Sequence, residues 1–139
     1  KQGLIISVLR RVSNMRNRLG IILMAIAVLH ELVGLFFYSD ALQDIFRAGF
    51  FNTINPPYWE RDAAFWFLMF GIALFLMGWV TQWMIEQTGT VPKFFSFGLL
   101  TMCIIGVMMM PASGLWLAIP IAFMMLQLPA VDETKISLI

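Results

Sequence analysis

LGIILMAIAVLHELVGLFFYS, residues 19–39, is an apolar run interrupted by a histidine and a glutamate set side by side. About twenty apolar residues is the length a helix needs to cross the hydrocarbon core of a bilayer. An ionisable group in such a segment is costly against lipid, so it belongs against protein and marks a candidate functional site. The rest of the chain must therefore shield, pair or use His30 and Glu31. Gly20, Met24, Ala27, Glu31, Gly34 and Tyr38 succeed one another at steps of four and three, which puts them on one helix face. Small residues on that face let a neighbouring helix approach closely, so Glu31 is expected to point into a bundle. His30 follows about 100° round the helix, at the edge of the same contact surface. Both fall toward the outer end of the span.

The remaining residues agree with a membrane setting. Of 139 residues, 60% are hydrophobic and 12% charged, whereas a soluble domain is about half apolar and a quarter charged. One membrane domain is expected, at residues 1–139, with the lipid bilayer as its first partner. Cys103 stands alone in a hydrophobic run, which excludes a disulfide framework and a thiolate metal centre; it reads as a packing residue. No second His or Cys sits at ligand spacing from His30, so neither a metal nor a cofactor is expected. Phosphate loop, nucleophile elbow and basic nucleic-acid face are all missing from the sequence, so no nucleic-acid partner is expected.

Charge placement orders the topology. Residues 1–18 are amphipathic, with Leu4, Ile5, Val8, Val12 and Met15 at helical spacing, and carry five positive charges and no acid. Such a segment lies in the membrane surface and marks the cytoplasmic side; the run that follows is long enough to stay in the membrane, unlike a cleavable signal. Residues 40–62 form an outer loop with four acids and an aromatic belt of Phe50, Phe51, Tyr58 and Trp59. Within it Asp40 and Gln43 have capping-box spacing and open a short interfacial helix ending near Gly49. Asp62 is placed to cap a second span at 63–85, where Gly71 and Gly78, seven apart, mark a packing stripe. The uncharged stretch 94–131 is too long for one crossing and breaks at PASG, residues 111–114, giving spans at 94–110 and 113–128. Pro120 is expected to kink the last of these. The tail, 129–139, returns to the cytoplasm. The fold expected is an all-α, up-down-up-down bundle of four transmembrane helices with both termini cytoplasmic, in a bacterial inner membrane.

Glu31 has two readings. As a neutral acid it would donate one hydrogen bond and pin a helix contact; as an exchangeable site it would bind a proton or cation or act as general acid and base. A lone membrane histidine is usually a hydrogen-bonding packing residue, with proton donor or acceptor beside Glu31 as the functional alternative for His30. Asn52, Asn55, Tyr58 and Arg61 of the outer loop, with Ser113 and Trp116 from the turn between the last two spans, are candidates for a polar vestibule above Glu31; Tyr38, on the Glu31 face, is a further candidate for the site. Arg47 or Arg61 could fold back to pair with Glu31. The methionines at 108–110, 124 and 125 read as gap-fillers.

Three stretches taken together carry a resemblance: LHELVG from Leu29, RAGFFNTI from Arg47 running on to RDAAFWFLMFG from Arg61, and MPASGLWLAIP from Met110. The combination resembles a bacterial family of small four-helix membrane proteins known only as a domain of unknown function. The resemblance implies the four-span topology and no activity. A short four-helix chain with a glutamate in its first span is also similar to the small multidrug-resistance exporters, in which that glutamate exchanges protons for cationic substrates. Here a histidine precedes the acid, the first outer loop is longer, and the other signatures of those exporters are missing. Three functions stay open: binding or moving a small amphiphilic or cationic molecule at a buried Glu/His site, a non-catalytic accessory subunit of a larger membrane complex, and a membrane lipid or isoprenoid isomerase; as partners, a homodimer or a larger membrane complex is expected.

Overall fold

The computed structural model describes residues 15–129. Most of the basic amphipathic segment and the tail from residue 130 lie outside the described residues. Among them every regular element is a helix: α1 (Leu19–Phe37), α2 (Ser39–Arg47), α3 (Trp59–Thr88), α4 (Lys93–Met109), a 3-10 turn (Gly114–Leu117) and α5 (Ala118–Leu126). Two of these, α1 and α3, are long and apolar enough to cross a membrane; α4 and the 3-10/α5 segment are shorter apolar helices.

An antiparallel seam between α1 and α3 anchors the fold. Gly20 lies against Gly78 and Gln82, Met24 against Gly78, Glu31 against Gly71, and Gly34 against Phe67 and Leu68. Gly20, Ala27 and Gly34 recur every seven residues on α1; Ala64, Gly71, Gly78 and Ile85 do so on α3, and all seven are buried. A strict seven-residue repeat keeps one stripe facing the partner, and small residues in it bring the backbones close enough for dense dispersion contact. α5 packs on the other side of α1 and on α4. The core that results, with Leu19, Leu23, Leu74, Leu99, Cys103, Ala122 and Met125, lies between α1, α3, α4 and α5.

Helix ends are set by local chemistry, partly against expectation. α2 begins at Ser39, directly after Tyr38, the C-cap of α1, so Asp40 falls in its first turn and makes no side-chain cap. There its charge favours the helix dipole instead. α3 likewise begins at Trp59, four residues before the expected start at residue 63, so Asp62 is a first-turn acid rather than a cap. α3 ends at Gly89, whose φ of 73° gives a left-handed C-cap and whose N–H bonds the Ile85 carbonyl. The break after α4 falls at residues 110–113, with the Ser113 N–H on the Met110 carbonyl. Pro120 is the third residue of α5, in the first turn, where a helix has no use for its missing N–H. The expected kink is therefore a junction, from 3-10 turn into α-helix.

Side chains from other helices satisfy the ends at the face of the bundle near residues 17–19 and 86–93. Gln82 Oε1 accepts the Ile21 N–H at 3.2 Å, while its Nε2 donates to the Asn17 carbonyl at 3.1 Å and to Glu86 Oε1 at 2.8 Å. Lys93 Nζ donates to the carbonyls of Leu126 and, at 2.6 Å, Leu128, and Thr90 Oγ1 donates to that of Pro129. A cation on the last carbonyls of α5 also complements the negative end of its dipole.

Candidate functional site

α1 carries His30 and Glu31 in its C-terminal half, about two turns before Tyr38. Glu31 turns toward α3. Its Oε1 is buried, with no hydrogen-bond partner among the described residues, and lies against the backbone at Gly71. A Cβ on residue 71 would overlap Oε1 and stand 2.8 Å from Glu31 Cδ and 2.9 Å from His30 Cδ2, so only glycine leaves room for the carboxyl group. His30 faces the same helix a little to one side. Its Nε2 is 3.0 Å from the Phe67 carbonyl, its ring stacks on Phe67 with centroids 3.9 Å apart and planes 7° off parallel, and the Phe70 ring meets it edge-on at 5.5 Å. A carbonyl only accepts, so the bond to Phe67 needs the hydrogen on Nε2.

Next to this pair lies a cavity of about 600 Å3 between α1, α3, α4 and the 3-10/α5 segment. Its inner end is apolar, with Ile26, Leu74, Leu99, Cys103 and Ala118. The end near the α1–α2 corner holds Tyr38 and Ser113, and His30 sits between the two ends in the wall. Ser113 Oγ is buried and unpartnered. α3 and α4, although joined by residues 89–92 alone, make no extensive contact, and a second, shallower depression between them is lined by Phe70, Thr101, Met102 and Ile105.

Of the candidates read from sequence, three line this cavity: His30, Tyr38 and Ser113. Glu31 stands behind His30, outside the cavity wall. Arg61 does not reach Glu31; its guanidinium donates to the Thr53 carbonyl at 3.3 Å and lies 4.1 Å over the Tyr58 ring. Arg47 pairs with Asp44 at 3.6 Å and Gln43 at 3.3 Å on the exposed side of α2. Asn52 is exposed, with φ of 55°, a left-handed position that asparagine tolerates better than most residues, and its carbonyl accepts from Asn55. Trp116 is exposed and donates to the Pro111 carbonyl at 2.8 Å, bracing the turn. The aromatic pair around His30, Phe67 and Phe70, went unread among the apolar residues of α3; their i, i+3 spacing facing a polar residue on α1 was the available sign. Among the described residues no group of three metal-ligating side chains occurs.

Gly71 gives a test of the Glu31 placement. Gly71→Ala should evict the carboxyl group from the seam while leaving the helices paired, because the colliding atom ends a flexible side chain. The expected loss is about 1–3 kcal/mol, the range for overpacking. Glu31→Ala in the same chain should recover most of it. Equal losses for Gly71→Ala with and without Glu31→Ala, by thermal unfolding in detergent, would place the carboxyl group elsewhere.

No curated protein and no solved structure matches the chain. Residues 14–129 match the family of unknown function DUF6463, which spans both stretches of the α1–α3 seam and every residue of the cavity wall. The chain belongs to that family.

Proposed function

We propose that this is a bacterial inner-membrane protein of four spans, α1, α3, α4 and the 3-10/α5 segment, that holds a small amphiphilic molecule in the cavity beside His30. The 600 Å3 cavity carries this reading: it has the size of a small-molecule site and the usual mix of apolar wall with a few polar groups. The membrane setting is supported by how the long helices meet their surroundings. Only 28% of the apolar window of α1 and 22% of that of α3 is buried within the chain, whereas the core helix of a soluble protein would hide such a surface. Leu32, Phe36, Trp66, Trp79, Met108 and Phe123 all face outward. Helix α4 is about 26 Å long and the 3-10/α5 segment about 22 Å, short for a core of about 30 Å. Local thinning of the bilayer accommodates such lengths at small cost.

In this reading the ligand's tail occupies the inner end and its head lies by Tyr38 and Ser113. A cationic substrate held by Glu31 has less support, since that side chain is outside the wall; the same holds for an isomerase using Glu31 and His30 across a bound lipid. Native mass spectrometry of the full chain from mild detergent tests the proposal. One bound amphiphile per chain is expected, and Ala112→Trp, which fills the rim from an exposed turn residue, should reduce its occupancy at least about five-fold, the equivalent of roughly 1 kcal/mol. Chains free of any adduct, or equal occupancy in the Ala112→Trp variant, would overturn it.

A further inference from the structure

The wall of the cavity says what kind of head group it suits. We propose that the occupant is a single-chain lipid with an uncharged, hydroxyl-bearing head, and this rests on the cavity reading above. Among the described residues lining the cavity there is no Asp, Glu, Lys or Arg, so a phosphate, carboxylate or ammonium head would be desolvated with nothing to balance its charge. Two wall groups ask for a hydroxyl. Ser113 Oγ is buried without a partner, a state that costs free energy until a donor or acceptor arrives. His30 sets Nε2 toward the Phe67 carbonyl, and with the hydrogen on Nε2 its Nδ1 can only accept. An ether or ester head accepts but cannot donate to Nδ1; a hydroxyl does both. Tyr38 adds a second hydroxyl to the same end.

Size narrows the tail. At roughly 30 Å3 for a group the size of a water molecule, the cavity of about 600 Å3 holds about twenty such groups. One long chain with a small head fits that number, and a two-chain phospholipid carries more than twice as many. The aliphatic residues at the inner end, Ile26, Leu74 and Leu99, suit its methylenes.

Four probes of matched chain separate the possibilities: oleyl alcohol, oleyl methyl ether, oleic acid and oleylamine, each titrated onto the full chain in detergent and followed by native mass spectrometry. Oleyl alcohol should bind about five-fold or more tighter than the other three, the worth of one or two net hydrogen bonds. Ser113→Ala, at a turn residue whose side chain has no partner to lose, should shrink that preference, and unchanged thermal unfolding would show the fold intact. Equal binding of all four, with Ala112→Trp weakening each, would overturn the head-group inference and leave the cavity reading standing. A lead for the acid or the amine, or an alcohol preference that survives Ser113→Ala undiminished, would overturn it too. Failure of all four to bind would remove the cavity reading and this inference with it.

Discussion

Alanine at Gly20 is expected to unseat the α1–α3 pair, lowering stability by about 1–3 kcal/mol, with a branched residue such as leucine costing more. The reason lies in what the new methyl group would meet. A Cβ on residue 20 would overlap the backbone nitrogen of Gln82 and stand 2.5 Å from both Gln82 Cβ and the Gly78 carbonyl oxygen. Backbone atoms of a straight helix cannot step aside singly, so α1 and α3 must part along the seam. Dispersion contacts fall off within fractions of an ångström, and the whole row from Gly20–Gln82 to Gly34–Leu68 loses its fit. Gly98, on α4, is the matched control, because nothing stands within 4 Å of a Cβ there. Gly98→Ala should leave the unfolding midpoint in detergent unchanged or raise it, since alanine is the better helix former. A Gly20→Ala chain as stable as the Gly98→Ala chain would mean that the seam is looser than described.

Gln82→Leu is expected to have the second largest effect. The side chain is 8% exposed and bridges two helices with three hydrogen bonds: from the Ile21 N–H, to the Asn17 carbonyl and to Glu86. The first of these satisfies one of the backbone N–H groups that every helix leaves unpaired in its opening turn, and no side chain from the adjoining residues caps α1. Leucine would fill the space yet remove three part-buried hydrogen bonds, at a cost of about 1–3 kcal/mol. Hydrogen exchange should quicken at residues 19–23 and stay near its original rate in the C-terminal half of α1. Glu86→Gln keeps an acceptor for Gln82 Nε2 and should be nearly silent. Uniform exchange changes along α1, or none, would remove Gln82 from its capping role.

The two predictions also mark where the sequence was legible. The seam could be read because a face of α1 repeats small residues at helical steps, and because Gly71 and Gly78 stand one heptad apart on α3; the geometry joins those two stripes. The helix break at residues 110–113 was legible for a related reason, since proline and glycine punctuate a run otherwise without charge. Gln82 was passed over. A polar, uncharged residue in an apolar run gives little signal in hydropathy, and its partners are backbone atoms 61 and 65 residues away. Asp40 and Asp62 misled for the opposite reason. Asp40 has capping-box spacing with Gln43 and Asp62 precedes an apolar run, but helix already runs through Ser39 and Trp59, which puts both acids in first turns.

The candidate site was legible only in part. Periodicity turns Glu31 inward, and it packs against α3; neighbouring residues on a helix diverge, so His30 reaches the cavity while Glu31 stays behind it. The vestibule drawn from Asn52, Arg61 and Trp116 rested on their shared side of the chain alone. Each instead bonds locally within its own loop or turn, where a nearby carbonyl costs less chain entropy than a distant partner. What brings Ser113 into the wall is the 3-10 turn that follows it, and no pattern in the residues announced that geometry.

Labelling from the two sides of the membrane tests the four-span account most directly. In intact cells, on a Cys103→Ser background, single cysteines would be placed by Asn55→Cys in the α2–α3 loop, Gly89→Cys between α3 and α4, and Ala112→Cys between α4 and α5. A maleimide that cannot cross the membrane should modify the chain carrying Ala112→Cys together with that carrying Asn55→Cys, and the Gly89→Cys chain only after permeabilisation. If Ala112→Cys behaved like Gly89→Cys, α4 and α5 would not cross, and the cavity would not lie at membrane depth.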